Sequence, residues 1–167
     1  MKHVILFLLL VQPLLLRPGG DDPLAALEGI WYVQYSNFGM WLSGKKHFPA
    51  FTYTIAQKHG VAGLADVVSY QQKGRRREIR GFDAPQDLKG RQFTWRGNGL
   101  LHLFKSKWEI LYNDGEWMLI HFRKTLVSAE GYDVISRQPV PDAETMQHIR
   151  QKLQELDVPT LTAVEQR

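Results

Sequence analysis

Residues 29–35 read Gly-Ile-Trp-Tyr-Val-Gln-Tyr, a glycine followed by six residues of which all but the glutamine are aromatic or β-branched. Such residues favour a pleated, half-buried backbone. Side chains alternate between the two faces of a strand, so Ile30–Tyr35 places Trp31, Val33 and Tyr35 together. Seven further stretches have the same character: 51–57, 67–72, 76–83, 92–96, 107–113, 116–124 and 132–137. Between Trp31 and Tyr132 lie all but one of the nineteen aromatic residues, in short runs separated by Gly, Asn, Asp or Lys-Gly, the punctuation of an antiparallel sheet. Gln72-Lys73-Gly74-Arg75 and Asn113-Asp114-Gly115 supply tight turns. An eight-stranded meander leaves two long unpaired edges unless it closes on itself, so the expected fold is all-β, an eight-stranded antiparallel up-and-down barrel.

Beyond Gln138-Pro139-Val140-Pro141 the period changes. Met146, Ile149, Leu153 and Leu156 recur three or four apart among charged residues behind Asp142, which predicts one C-terminal amphipathic helix near 142–156 capped by that aspartate. The stretch from Asn37 to Pro49 is too long for a hairpin turn and carries Phe38, Met40, Trp41 and Leu42. It reads as a lid over a barrel mouth or a plug within it.

At the start, Met1-Lys2-His3 precedes the run Val4–Leu16, apolar except for Gln12 and Pro13, and the chain turns polar at Arg17. About 13 residues at 1.5 Å each cover ~20 Å, short of a ~30 Å hydrocarbon core, so this is the pattern of an export leader rather than of a spanning helix. The expected division is a signal peptide over 1–22 and one domain over 23–167.

The 167 residues contain no cysteine, which removes disulfides, thiolate chemistry, cysteine zinc sites and thiol-linked lipid. With 21 Lys and Arg against 17 Asp and Glu, the net charge of +4 is too small an excess for a dedicated nucleic-acid binder. The charge is uneven: residues 73–107 hold ten basic and three acidic residues, with Arg75, Arg76, Arg77 and Arg80 in and after one turn.

The Gly-x-Trp-Tyr of residues 29–32, and a last strand Tyr132-Asp133-Val134-Ile135-Ser136-Arg137 followed by a Pro-rich turn and an amphipathic helix, together resemble the lipocalin family over residues 28 to about 165. The likeness is strongest to bacterial lipocalins and lipocalin-like exported bacterial proteins. It implies that Trp31 closes the barrel floor and that Arg137 packs across it. A guanidinium on an indole gains about 0.5–2 kcal/mol, and Gly29 permits the close approach. The pattern departs at Tyr112-Asn113-Asp114-Gly115, where many lipocalins have Thr-Asp-Tyr. Without a lipid-bearing cysteine the expected form is soluble, periplasmic or secreted, and not lipid-anchored.

The resemblance implies carriage or storage of a small hydrophobic ligand, a fatty acid, lysophospholipid or similar, with no cofactor. Alternation offers Tyr35, Phe51, Tyr53, Phe93, Trp95, Trp108, Leu119 and His121 as lining. Arg75, Arg76, Arg77 and Arg80 offer contacts to an anionic head group or to an anionic membrane surface. Two other readings stand beside it, a cavity enzyme of the isomerase or cyclase type and a basic membrane-surface adaptor with a filled barrel. No nucleophile elbow or paired carboxylates on an arguable common face point to catalysis. Asp66, Glu109 and Asp133 become acid–base candidates only if they enter the apolar interior. The six histidines show no metal-ligand spacing, so no metal is expected.

Overall fold

The structure, a computed structural model, describes residues 22–125 and 129–166; the expected leader over 1–22 lies almost wholly outside them. Eight strands form the barrel: β1 (Gly29–Ser36), β2 (His47–Lys58), β3 (Val61–Gln72), β4 (Arg75–Pro85), β5 (Gln92–Gly97), β6 (Lys105–Asn113), β7 (Trp117–Phe122) and β8 (Gly131–Ser136). Neighbours in sequence pair antiparallel, and β1 closes the ring by pairing with both β2 and β8. Each expected strand is present. β3 runs longer than expected because its residues 61–65 pair with 54–58 of β2 in an unbroken ladder, and β2 begins earlier because His47 and Ala50 pair with Gln71 and Ser69.

β2 covers the edge of β1 only along Gly29–Tyr32. A short ninth strand, β9 (Thr162–Ala163), pairs with Tyr35 and Ser36 and covers the part of β1 that β2 has left, so the last stretch of chain satisfies backbone groups that otherwise face water. Between β1 and β2, α1 (Gly39–Leu42) carries Trp41 into the barrel mouth.

α2 (Ala143–Glu155) packs outside on Trp117, Leu119 and Val134, burying Ile149 completely. Its first turn is fixed by Asp142, whose side chain accepts from the Thr145 N–H at 2.8 Å. Asp142→Ala is expected to cost about 1 kcal/mol in a denaturant melt, with the barrel strands retained by circular dichroism.

Two bulges decide which side chains enter the barrel. Pairing with β8 shifts between Val33 and Tyr35, so Gln34 is an extra residue and alternation slips by one. Gln34 is buried and donates to the carbonyls of Gln138 and Pro139, while its own carbonyl accepts from the Val164 N–H. Tyr35 therefore leaves the interior and packs beneath α2, and Ser36 enters instead. A second slip between Ile110 and Tyr112 in β6 likewise turns Tyr112 outward onto Trp117.

The barrel interior and its carboxyl groups

The closed end is built from β1, a 3-10 turn over Ala25–Leu27, and the residue following β8. The Trp31 indole is fully buried and donates to the Leu27 carbonyl at 2.7 Å. The Arg137 guanidinium lies 3.6 Å from the ring centroid and donates to the carbonyls of Glu28 and Ala26 at 2.7 and 2.8 Å. Burial lowers the Arg137 pKa, with Glu116 opposing. Gly29 has φ +109°, and a Cβ there would stand 2.9 Å from Arg137 Nη1. Only glycine tolerates both that torsion and that approach.

Above this floor the barrel interior is lined by a cluster of aromatic and aliphatic side chains. Tyr53 stacks on Trp108 at 5.9 Å and Phe93 on Trp108 at 4.4 Å; Phe51, Leu64 and Ile120 belong to the same cluster. At the mouth Phe38 meets the edge of Phe122, and Trp41 meets Tyr70, over which the Lys46 ammonium sits at 4.4 Å. The stretch expected to act as lid or plug thus occupies the upper interior. Clefts also lie on the outside, among them one of about 390 Å³ between α2 and β9, lined by Met146 and Val164, and one of about 330 Å³ on the outer face of β4 and β5 around Phe82 and Arg96.

Three carboxyl groups share this aromatic interior: Asp66 on β3, Asp83 on β4 and Asp133 on β8, each at most 4% exposed. Asp66 is paired in register with Gly81 and Asp83 with Leu64, so the two acids are diagonal neighbours on one face. Asp83 Oδ1 accepts from the Trp108 indole at 2.6 Å. The Trp95 indole lies directly on Gly81, where a Cβ would be 2.1 Å from Nε1, and so reaches Asp66 beyond. Asp66 Oδ1, Asp83 Oδ2 and Asp133 Oδ1 have no hydrogen-bond partner among the described residues.

A carboxylate in such surroundings loses its hydration, and the proton is retained instead. Burial pushes Asp83 up to about 7 against the Trp108 bond, and Asp133 to about 7 against Ser36 and Trp41 beside it. Asp66 is raised as well, by burial first and then by Asp83. Burial and then the three acids raise the Tyr53 hydroxyl.

Of the residues expected to line a pocket, Phe51, Tyr53, Phe93, Trp95 and Trp108 belong to the interior cluster. Tyr35, Leu119 and His121 do not. Tyr35 is displaced by the bulge at Gln34, and Leu119 shares the outer face of β7 with Trp117 under α2. His121 follows Leu119 on that face, stacked on Tyr132 and bridging Glu109 at 3.1 Å and Glu130 at 2.6 Å. Glu109 is thereby excluded as an interior acid, whereas Asp66 and Asp133 do enter. The four arginines are exposed on the mouth-side β3–β4 hairpin, where Arg76 and Arg80 both pair with Glu78. Sequence reasoning missed Asp83. Its signal is the alternation Ile79-Gly81-Asp83, hidden by the arginines that crowd the start of β4.

No protein-family model matches the chain, and no curated protein matches its sequence. Solved structures do match. Insecticyanin from the tobacco hornworm Manduca sexta aligns with a TM-score of 0.71 at 10% identity, covering 85% of this chain and 79% of that one. Lobster apocrustacyanin A1 gives 0.63 at 12% identity, covering 86% and 79%. A siderocalin, Ex-FABP, described as acting through dual ligand specificities, gives 0.55 at 14% identity, covering 79% and 87%.

Proposed function

We propose, from the premise that this chain has the lipocalin fold, that its barrel carries or stores one small, largely apolar molecule admitted when the lid segment Phe38–Leu42 lifts. The supporting observation is the set of unpartnered carboxyl oxygens on Asp66, Asp83 and Asp133 within an aromatic interior. A buried acceptor left without a donor costs about 1–3 kcal/mol, which a ligand donor recovers. The polar end of the favoured ligand is therefore a hydrogen-bond donor, a basic nitrogen or a hydroxyl, and an aromatic interior suits a cation as well as an apolar body.

A fatty acid or lysophospholipid is the second reading, with its tail in the barrel and its anionic head held outside by Arg75, Arg76 or Arg77. We read the protein as non-catalytic. An isomerase-type activity is the competing proposal, favoured by Asp83 and Asp133 titrating at about 7, where a general acid–base group works well.

Mass spectrometry of small molecules released from the purified protein tests occupancy directly. Titration with dodecylamine, dodecanol and dodecanoate, followed by tryptophan emission, separates the head groups. Dodecylamine is expected to bind more tightly as pH rises through about 7, where Asp83 and Asp133 lose their protons. Asp83→Asn is expected to weaken dodecylamine at least tenfold, about 1.4 kcal/mol, and to spare dodecanol. Tighter binding of dodecanoate that is lost on replacing Arg75–Arg77 would favour the second reading. Failure of all three probes and an empty extract would overturn carriage.

Among the described residues no helix is long and apolar enough to cross a membrane. We read the protein as exported and of the bacterial lipocalin-like kind, with the leader removed before Leu24, because Ala26 and Leu27 supply carbonyls to the barrel floor.

A further inference from the structure

The connection between β5 and β6 carries the sequence Asn98-Gly99-Leu100-Leu101-His102-Leu103-Phe104, whose apolar residues do not build the core. Leu100 is 95% exposed, Leu103 79% and Phe104 44%. The loop has a fixed shape. A 3-10 turn spans Gly99–Leu101, the Phe104 N–H donates to the Leu101 carbonyl at 2.9 Å, and the Gly97 N–H donates to the Phe104 carbonyl at 3.3 Å. Arg96 Nη1 donates to the His102 carbonyl at 3.3 Å. Hydrogen bonds therefore hold three large apolar side chains out in water, although folding does not require them there. Single exposed leucines are ordinary, but three within five residues form a patch.

The surroundings of the patch are cationic. Residues 96–107 contain Arg96, Lys105 and Lys107 and no acid. The Asn98 N–H donates to the Arg80 carbonyl on β4 and Asn98 Oδ1 accepts from Lys58 Nζ at the end of β2 at 2.7 Å, so two further cationic residues border the loop. The loop leaves the barrel at the same end as the lid and the Arg75–Arg77 turn, since β6 and β4 both run from that end toward the closed one. Apolar side chains ringed by lysine and arginine match a bilayer interface, where the hydrocarbon accepts the former and anionic phosphates attract the latter.

We propose that the β5–β6 loop is a membrane-docking element that inserts Leu100, Leu103 and Phe104 into an anionic lipid surface while Arg96, Lys105 and Lys107 engage its phosphates. Docking there turns the mouth toward the bilayer. This does not rest on the interior reading, because vesicle binding needs no ligand in the barrel.

The test is co-sedimentation of the full chain with vesicles of phosphatidylcholine alone or with phosphatidylglycerol added. Comparing variants with the parent in the same chain cancels any contribution from residues 1–21. The parent is expected to bind anionic vesicles and to release as salt is raised. Combined Leu100→Ser, Leu103→Ser and Phe104→Ser should weaken binding at least tenfold with the fold unchanged by circular dichroism, since these side chains are solvent-facing. Lys105→Glu with Lys107→Glu should weaken binding to anionic vesicles by a similar factor. Leu88→Ser, at a fully exposed leucine in the closed-end connection, should change nothing. A parent that fails to bind at low salt, or a serine variant that binds as well as the parent, would overturn the proposal. So would a serine variant that changes only self-association in sedimentation velocity, which would assign the patch to a second copy of the chain.

Discussion

Trp31→Ala is expected to destabilise the protein by about 3–5 kcal/mol, the range for truncating a fully buried large aromatic side chain. Three losses coincide at this position. The indole volume disappears from the closed end, the Leu27 carbonyl loses its donor, and Arg137 loses the ring 3.6 Å beneath it. The guanidinium would keep its bonds to Ala26 and Glu28 but would stand over a cavity. Arg137→Met should cost less, because a linear apolar chain still covers the indole. Urea melts of the two variants and the parent measure both effects, and a shift below about 1 kcal/mol for Trp31→Ala would contradict the floor described above.

The second large effect is on pH. Asp83 and Asp133 have folded pKa values of about 7 against an ordinary value of 3.8. A group that holds its proton more tightly when folded stabilises the fold fully below its unfolded pKa, and the contribution is lost as pH rises through the folded pKa. Stability is therefore expected to fall as pH rises from about 4 through about 7, and the raised Asp66 extends the decline. At 1.36 kcal/mol per pKa unit each acid contributes up to about 4 kcal/mol. Thermal melts at pH 5 and pH 8 are expected to show the higher midpoint at pH 5. Asp83→Asn preserves an acceptor for the Trp108 indole but does not titrate, so it should raise stability at pH 8 and flatten the profile. A midpoint that climbs from pH 5 to pH 8 would mean that these carboxyls are ionised and paired in the folded state.

Much of the architecture follows from short-range chemistry. The turn residues at Lys73-Gly74 and Asp114-Gly115, the spacing of Met146, Ile149 and Leu153, and the glycine beside Trp31 each specify a local conformation that their neighbours do not override. Closure into a barrel then follows from edge pairing. The interior is harder to read because alternation carries through a strand only while its register holds. At Gln34 one extra residue, anchored by carbonyls about a hundred positions away in sequence, turns Tyr35 outward and Ser36 inward.

The amino-acid sequence by itself determined the strand order, the C-terminal helix and the basic hairpin, because each is written in residues close together, while the Trp31–Arg137 floor was implied by the resemblance that motifs at the two ends of the sheet carry. Tertiary structure alone decided that Asp66 and Asp83 lie side by side and Asp133 is buried beside Ser36 and Trp41, that Trp41 enters the mouth, and that Leu100 and Leu103 face water. Which side chains of β3, β4 and β8 enter one interior depends on barrel curvature and on bulges, and burial depends on what the rest of the chain packs overhead. Neither quantity is a property of any local stretch.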